Sequence, residues 1–164
     1  MKSLKLDIGA GTTRRDEDYT TIDNTTEADV KADMWDLPFD GGTVDEIWSS
    51  HALEHIPMSK VHPTLLEWLR VLKPGRRLIV QVPNFDYVAK YWLTGPDRRW
   101  AEAMVFGHQA HEGEFHKCAF THMTLRADLE AAGFEVKRIE SVWSHNQETI
   151  QGVAIKPLTP AKEQ

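Results

Sequence analysis

Residues 4–11, LKLDIGAG, decide the fold. Leu4, Leu6 and Ile8 alternate with polar residues, which is the pattern of a half-buried β-strand. The strand runs directly into Gly9-Ala10-Gly11, and two glycines within three residues indicate a tight turn. Because neither glycine carries a side chain, the turn leaves room for a ligand to approach the backbone closely.

The chain after this turn is a succession of short strands and one clear helix. Asp23 and Asp33 each follow an extended segment, and Pro63 is expected at the first position of a helix that ends at Lys73-Pro74-Gly75. The four further strand candidates of this part of the chain are residues 19–22, 30–32, 44–49 and 77–82.

The carboxyl-terminal part begins with an irregular segment, residues 84–120, which we interpret as a lid or acceptor insertion. Thr121 is expected to cap a helix that runs through Ala132 and ends at Gly133. Residues 134–142 and 149–155 then favour an antiparallel strand pair. The pattern predicts a single α/β domain over residues 1–164, a Rossmann-like three-layer sandwich with a mostly parallel seven-stranded sheet and a C-terminal antiparallel hairpin.

Composition excludes several classes of protein. A chain of 164 residues with 41% hydrophobic content can bury a core, so disorder is excluded, and a net charge of -6 gives no sign of nucleic-acid binding. Cys118 is the single cysteine, which excludes a disulfide framework and fits a reducing compartment. No apolar run is long enough for a membrane span or a signal peptide, so we expect a cytoplasmic protein.

The strand ends converge on one edge of the predicted sheet, where α/β proteins bind nucleotide-like ligands. A dinucleotide site is disfavoured because position 14 is Arg14 rather than glycine and Asp23 comes too soon after the turn. The Asp23 carboxylate can accept two hydrogen bonds from a ribose diol. Asp33 can accept from an adenine amine while the Met34 N–H meets a ring nitrogen. The alternative is that Asp23 begins a turn and Asp33 caps one.

Four stretches, LKLDIGAG, TTIDNT, ADMWDLPFDGGTVDEIWSSHALEHI and VLKPGRRLIVQVPNFD, resemble in order and spacing the class I S-adenosylmethionine-dependent methyltransferases, particularly the methyltransferase-11-like group. A later stretch, EGEFHKCAFTHMTLRADLEAAGFEV, is similar to a compact subgroup often found near glycan biosynthesis functions. The resemblance implies S-adenosylmethionine as cofactor and S-adenosylhomocysteine as product. The implied cofactor-binding residues are Asp7, Gly9, Ala10, Gly11, Asp23, Asn24, Asp33, Met34, Trp35, Ser49, Ser50 and His51.

The chain departs from the family pattern in two places. Only eleven residues separate Gly11 from Asp23, which is too few for the usual first crossover helix, so that helix must be short or degenerate. The sequence also starts at the first strand, without the helices that usually cover the cofactor. A partner subunit in a homo-oligomer would then complete the site. The alternative function is a degenerate cofactor-binding partner without turnover.

The sequence His51-Ala52-Leu53-Glu54-His55 matches H-x-x-E-H, a zinc-protease helix signature. It raises a second alternative, a zinc hydrolase. Zinc catalysis needs a third protein ligand and a helix that holds the pair, but Pro57 follows almost at once. The pattern therefore gives no metal site, and the histidines of residues 84–120 are interpreted as a polar lid, with a metal site or a general base as the other possibilities.

The predicted reaction needs little acid–base chemistry, because the methyl sulfonium is already activated. The protein has to align the acceptor with the methyl group and exclude water, and a base is needed only if the acceptor must lose a proton. Imidazole titrates near neutral pH, so His116 and His51 are the candidate bases. The acceptor is expected to be a small molecule or glycan-linked, with no nucleic acid and no membrane as partner.

Overall fold

The computed structural model describes residues 3–12, 14–24 and 27–158. The strands are β1 (Lys5–Ile8), β2 (Tyr19–Asp23), β3 (Val30–Lys31), β4 (Val44–Ser50), β5 (Leu72–Pro83), β6 (Glu135–Ser144) and β7 (Gln147–Ile155). The α-helices are α1 (Met58–Val71), α2 (Phe85–Thr94), α3 (Arg98–Phe106) and α4 (His122–Ala131). Two 3-10 turns cover Leu53–His55 and Glu112–Glu114.

The strands form one sheet in the order β3-β2-β1-β4-β5-β7-β6. The ladders from β3 to β5 are parallel, and β7 runs antiparallel to both β5 and β6. This confirms the predicted Rossmann-like α/β fold with an antiparallel hairpin at the carboxyl-terminal edge. The strand order reverses direction between β1 and β4, and α/β sheets bind their ligands at such a switch point.

The hydrophobic core lies on the sheet face that α1 and α4 cover. Leu6, Ile47 and Val80 project from neighbouring strands and belong to one buried cluster with Trp68 of α1 and Leu129 of α4. All five are less than 1% exposed. This packing fixes the carboxyl ends of β1 and β4, which position the site described below.

The opposite face carries charged and polar side chains. Glu46 accepts hydrogen bonds from the Tyr19 hydroxyl and from the Arg77 guanidinium. The Arg15 guanidinium lies 3.5 Å from the centre of the Trp48 ring. The first loop therefore covers part of this face.

Two predicted boundaries in the middle of the chain are wrong. Helix α1 begins at Met58, five residues before the predicted start, and Pro63 lies inside it. The early start buries Val61 in the core, which offsets the backbone bond that Pro63 cannot donate. Strand β5 begins at Leu72 rather than at residue 77, since Val44 pairs with Leu72 before the register shift.

The ends of α4 and the first crossover follow the predictions. Thr121 and Thr124 form a reciprocal capping box, and Gly133 after the helix has a φ of +96°. The connection from β1 to β2 contains no helix in its described parts, 9–12 and 14–18. The first crossover is therefore short, as the spacing between Gly11 and Asp23 predicts.

Candidate functional site

A cleft of about 530 Å³ opens at the carboxyl ends of β1, β2 and β4. Its volume lies in the range of small-molecule and cofactor sites. The cleft is lined by Ile8, Gly9, Gly11, Ile22, Asp23, Asn24, Ala32, Asp33, Met34, Trp35, His51, Ala52, His55, Ile56, Pro57, His111, Glu112, Gly113, Glu114 and Lys117. Residues 111–114 and Lys117 belong to the 84–120 segment, so that segment forms one wall.

Most of the implied cofactor-binding residues meet in this cleft. Those that line it are Gly9, Gly11, Asp23, Asn24, Asp33, Met34, Trp35 and His51. Those outside its lining are Asp7, Ala10, Ser49 and Ser50. The glycine turn and the two acids that end β2 and follow β3 thus share one crevice, as the strand order requires.

The two glycines of the first loop are needed for different reasons. Gly9 has a φ of +76°, and a Cβ built there would lie 2.2 Å from the Cβ of Ala52. Both the positive φ and the contact with Ala52 therefore exclude a side chain at Gly9, and Ala52 is the neighbour that such a side chain would meet. Gly11 has a φ of +57°, and no atom of the described residues beyond its chain neighbours lies within 4 Å of a Cβ built there. The open space of the loop is above Gly11.

Asp23 joins the first loop to the end of β2. Its Oδ2 accepts a hydrogen bond of 2.9 Å from the Gly11 N–H, so the carboxylate holds the glycine loop at the cleft. Asp33 is exposed, and the half-buried Trp35 ring has Lys60 Nζ 4.9 Å from its centre. This half of the cleft, with Gly11, Asp23, Asp33 and Trp35, is named the aspartate end below.

Three of the four implied residues outside the cleft are held within the sheet, and Ala10 lies in the first loop. Asp7 is buried and its Oδ2 accepts from the Arg15 N–H at 3.2 Å, and burial raises the pKa of its carboxyl group. Ser49 is fully buried, and Ser50 donates to Gln81 Oε1 at 2.9 Å. Strand β4 continues through Ser50, so both serines belong to the sheet and His51 is the residue that leaves it.

A group of ionisable side chains follows β4, and two of its members, His51 and His55, line the cleft. Glu54 is 1% exposed, and neither of its carboxylate oxygens accepts a hydrogen bond from the described part of the chain. His51 Nδ1 lies 3.3 Å and His55 Nε2 3.9 Å from Glu54 Oε1. The His51 backbone has a φ of +52°, which is unusual for a residue with a side chain. His51 Nε2 is 3.3 Å from Thr149 Oγ1.

His116 comes from the 84–120 segment and packs against the same group of side chains. Its Nδ1 is 2.8 Å from the Met104 carbonyl oxygen, and its ring centre is 4.9 Å from that of His55. Burial lowers the pKa of His116 more than the Glu54 charge raises it, so the imidazole is neutral at pH 7. Glu54 and His116 border a small cavity of about 10 Å³ rather than the main cleft. Glu54, His55 and His116 are named the histidine end below.

The two candidate bases thus occupy different places. His51 lines the main cleft, whereas His116 borders the separate small cavity. His55 also lines the cleft, although sequence reasoning considered it only as a zinc ligand. The hydrolase interpretation of H-x-x-E-H is wrong, because Leu53–His55 is a 3-10 turn and no helix holds both histidines.

The comparison with known families finds one match, in the amino-terminal part of the chain. Residues 6–80 match the family described as methyltransferase domain. The chain has a Rossmann-like α/β fold of the methyltransferase type. No curated protein sequence matches it.

Solved structures share the fold of this chain across its length. A methyltransferase from Methanosarcina mazei, described as S-adenosylmethionine-dependent, is 19% identical, with a TM-score of 0.71 over 97% of this chain and 95% of the other. A chain from the Haloferax volcanii complex of the Trm112 methyltransferase activator with a methyltransferase is 18% identical, with a TM-score of 0.70 over 98% and 84%.

A third structure contains bound small molecules. It is the Burkholderia thailandensis 1,6-didemethyltoxoflavin-N1-methyltransferase with 1,6-didemethyltoxoflavin and S-adenosylhomocysteine. It is 16% identical to this chain, with a TM-score of 0.63 over 94% of this chain and 71% of the other. No helix in the described residues is long and apolar enough to cross a membrane.

Proposed function

We propose that the cleft binds S-adenosylmethionine and that the chain transfers its methyl group to a small-molecule or glycan-linked acceptor through an oxygen or nitrogen nucleophile. One observation carries the proposal. The glycine loop, Asp23 and the segment from Asp33 to Trp35 line a single cleft at the switch point of a methyltransferase fold. The solved relative from Burkholderia thailandensis holds S-adenosylhomocysteine.

The aspartate end supplies the contacts for the nucleoside. Asp23 would accept hydrogen bonds from the ribose hydroxyls, a charge-assisted interaction. Asp33 and the Met34 N–H would pair with the adenine edge, and the Trp35 ring would flank the base. The open space above Gly11 leaves room for the methionine portion.

The histidine end faces the place where the acceptor would bind. In the proposed reaction, the acceptor oxygen or nitrogen attacks the methyl carbon, the carbon–sulfur bond breaks, and its electron pair stays on sulfur in S-adenosylhomocysteine. An acceptor that carries a proton releases it to a base. His51 lines the cleft and is the first candidate, and His116 is the second, through its neutral imidazole.

A second candidate function is a cofactor-binding subunit without turnover. The first crossover lacks a helix in its described parts, and the Haloferax volcanii relative was solved in a complex with an activator protein. A partner protein or a second copy of the chain would then complete the cover over the cofactor.

Calorimetric titration with S-adenosylhomocysteine tests the proposal. We expect binding with one site per chain, and we expect NAD⁺, the matched control nucleotide, to bind at least about tenfold more weakly. Failure to bind S-adenosylhomocysteine at millimolar concentration would overturn both candidate functions. Binding without release of labelled methyl product, across a panel of hydroxyl and amine acceptors, would favour the cofactor-binding subunit.

A further inference from the structure

The histidine end has the composition of a metal site. Glu54, His55 and His116 each offer one ligand atom, and the three atoms lie within 4.8 Å of one another. Two imidazoles and one carboxylate are a common ligand set for zinc and other divalent transition metals. The bonds of zinc to nitrogen and oxygen, ~2.0–2.2 Å, put ligand atoms about 3–4 Å apart. Side-chain movements of about 1 Å would bring the three atoms to that spacing.

Both histidines are oriented by backbone carbonyls. His116 Nδ1 lies 2.8 Å from the Met104 carbonyl oxygen, and His55 Nδ1 lies 3.3 Å from that of Phe115. A carbonyl only accepts, so each Nδ1 carries the proton and each Nε2 keeps its lone pair. Metal-ligating histidines are held in the same way by a second partner on the other ring nitrogen.

The Glu54 carboxylate supplies an independent observation. It is almost fully buried, and its oxygens accept no hydrogen bond from any described residue. Its ion-pair contacts within the described ranges are with His51 and His55. A buried carboxylate without hydrogen bonds is costly, and a bound cation removes that cost. The adjacent cavity of about 10 Å³ has room for one water-sized ligand.

We propose that Glu54, His55 and His116 bind a divalent transition-metal ion, of the Zn²⁺ class, at the inner wall of the cleft. The sequence argument against zinc was the absence of a third protein ligand and of a supporting helix. His116 provides the third ligand from a distant segment. The Met104 and Phe115 carbonyls orient the two histidines in place of a helix.

The position of the ion gives it a role in acceptor binding, and this role rests on the proposed function. His55 lines the main cleft, whereas Glu54 and His116 lie behind it. An open coordination position on the His55 side would be reached from the cleft. An acceptor hydroxyl bound there would lose its proton more easily, because the cation stabilises the oxyanion.

The test is zinc binding in the absence of any cofactor, so that it does not depend on methyl transfer. We expect chelator-stripped protein to bind one Zn²⁺ per chain at ~1 µM or tighter, and Co²⁺ in the same site to give visible absorption. Zinc should also raise the melting temperature. Glu54→Gln and His116→Asn should weaken zinc binding at least about tenfold. The asparagine keeps a donor for the Met104 carbonyl and removes only Nε2.

His108→Asn is the matched control, because His108 is exposed and belongs to the same segment as His116. It should bind zinc as the unchanged chain does. Circular dichroism shows whether each variant folds, and His55→Asn replaces His116→Asn if the latter does not. The proposal is overturned if the unchanged chain binds no zinc below millimolar concentration. It is equally overturned if folded Glu54→Gln and His55→Asn bind zinc with the affinity of the unchanged chain. In that case a water molecule, and not a metal ion, is the partner of Glu54.

Discussion

The two ends of the cleft are built in different ways. At the aspartate end, Asp23 is the last residue of β2, while Gly11 and Asp33 follow β1 and β3 within three residues, and the sheet order brings them together. At the histidine end, Glu54 and His55 lie just after β4, while His116 arrives from a segment that follows β5. The first end depends on the order of the strands, and the second depends on how a long insertion packs.

The two ends also differ in how deeply their side chains are buried. Asp33 is exposed and Asp23 is half-buried, so their carboxylates remain hydrated until a ligand binds. Glu54 is 1% exposed and His116 is half-buried, so the histidine end works in a drier environment where charge interactions are stronger. The aspartate end is suited to bind neutral hydroxyl and amine groups. The histidine end is suited to bind a cation or to accept a proton.

The largest expected effect concerns Cys118, which packs beside the histidine end. Burial, together with the Glu54 charge, raises the pKa of its thiol from 9.0 to about 12. At pH 8 the thiolate population, and with it the rate of alkylation by iodoacetamide, should be about 10³-fold lower than for a thiol of ordinary pKa. Labelling in denaturant is the control. Native alkylation within about tenfold of the denatured rate would show that this end is open and hydrated.

Alanine substitutions at the two glycines of the first loop distinguish a glycine that is required for packing from one that borders open space. Gly9→Ala places a Cβ against Ala52 and should lower the free energy of unfolding by about 2–4 kcal/mol. Gly11→Ala meets no neighbour, so only its left-handed backbone contributes, about 1 kcal/mol. Denaturant unfolding measures both. Equal losses would contradict the assignment of the open space to Gly11.

Substitutions of Asp23 test the proposed ligand contact at the aspartate end directly. Asp23→Ala should weaken S-adenosylhomocysteine binding by about 1–3 kcal/mol, the size of a lost charge-assisted hydrogen bond. Asp23→Asn keeps an acceptor for the Gly11 N–H, so it separates the ribose contact from the loop contact. Asp18→Ala, which removes an exposed carboxylate, is the control. Unchanged affinity in Asp23→Ala would contradict the ribose assignment.

The smallest expected effect is at the adenine side. Lys60 Nζ lies 4.9 Å from the centre of the Trp35 ring, a cation–π contact worth about 0.5–1 kcal/mol. Lys60→Ala should therefore lower S-adenosylhomocysteine affinity about two- to fivefold if the contact holds the ring in place. An effect of tenfold or more in calorimetry would mean that Lys60 touches the ligand itself.

The residues of the aspartate end could be predicted because the ends of strands are visible as local patterns in the sequence. The alternation around Leu6 and the acids at Asp23 and Asp33 predicted that the glycine turn and both acids share the cleft, but the resemblance also implied Asp7, Ala10, Ser49 and Ser50, which do not line it. It was less exact at β4, where the strand continues through Ser50 and makes His51 the first residue outside the sheet. A one-residue shift in a strand end decides which side chains reach the cleft.

The histidine end could not be predicted in the same way. The contact of His116 with His55 and Glu54 depends on the packing of α2 and α3, which no periodicity in the sequence specifies. The H-x-x-E-H pattern signalled Glu54 and His55, but it also suggested a helix that the chain does not form. The pattern thus contains two residues of the proposed metal site, while the helix it suggested is not formed.

A crystal structure with S-adenosylhomocysteine bound tests the central claim most directly. We expect the ribose hydroxyls within hydrogen-bond distance of Asp23, the adenine beside Asp33 and Trp35, and the sulfur directed toward His51 and His55. A nucleoside bound outside this cleft, or one whose ribose makes no contact with Asp23, would contradict the account.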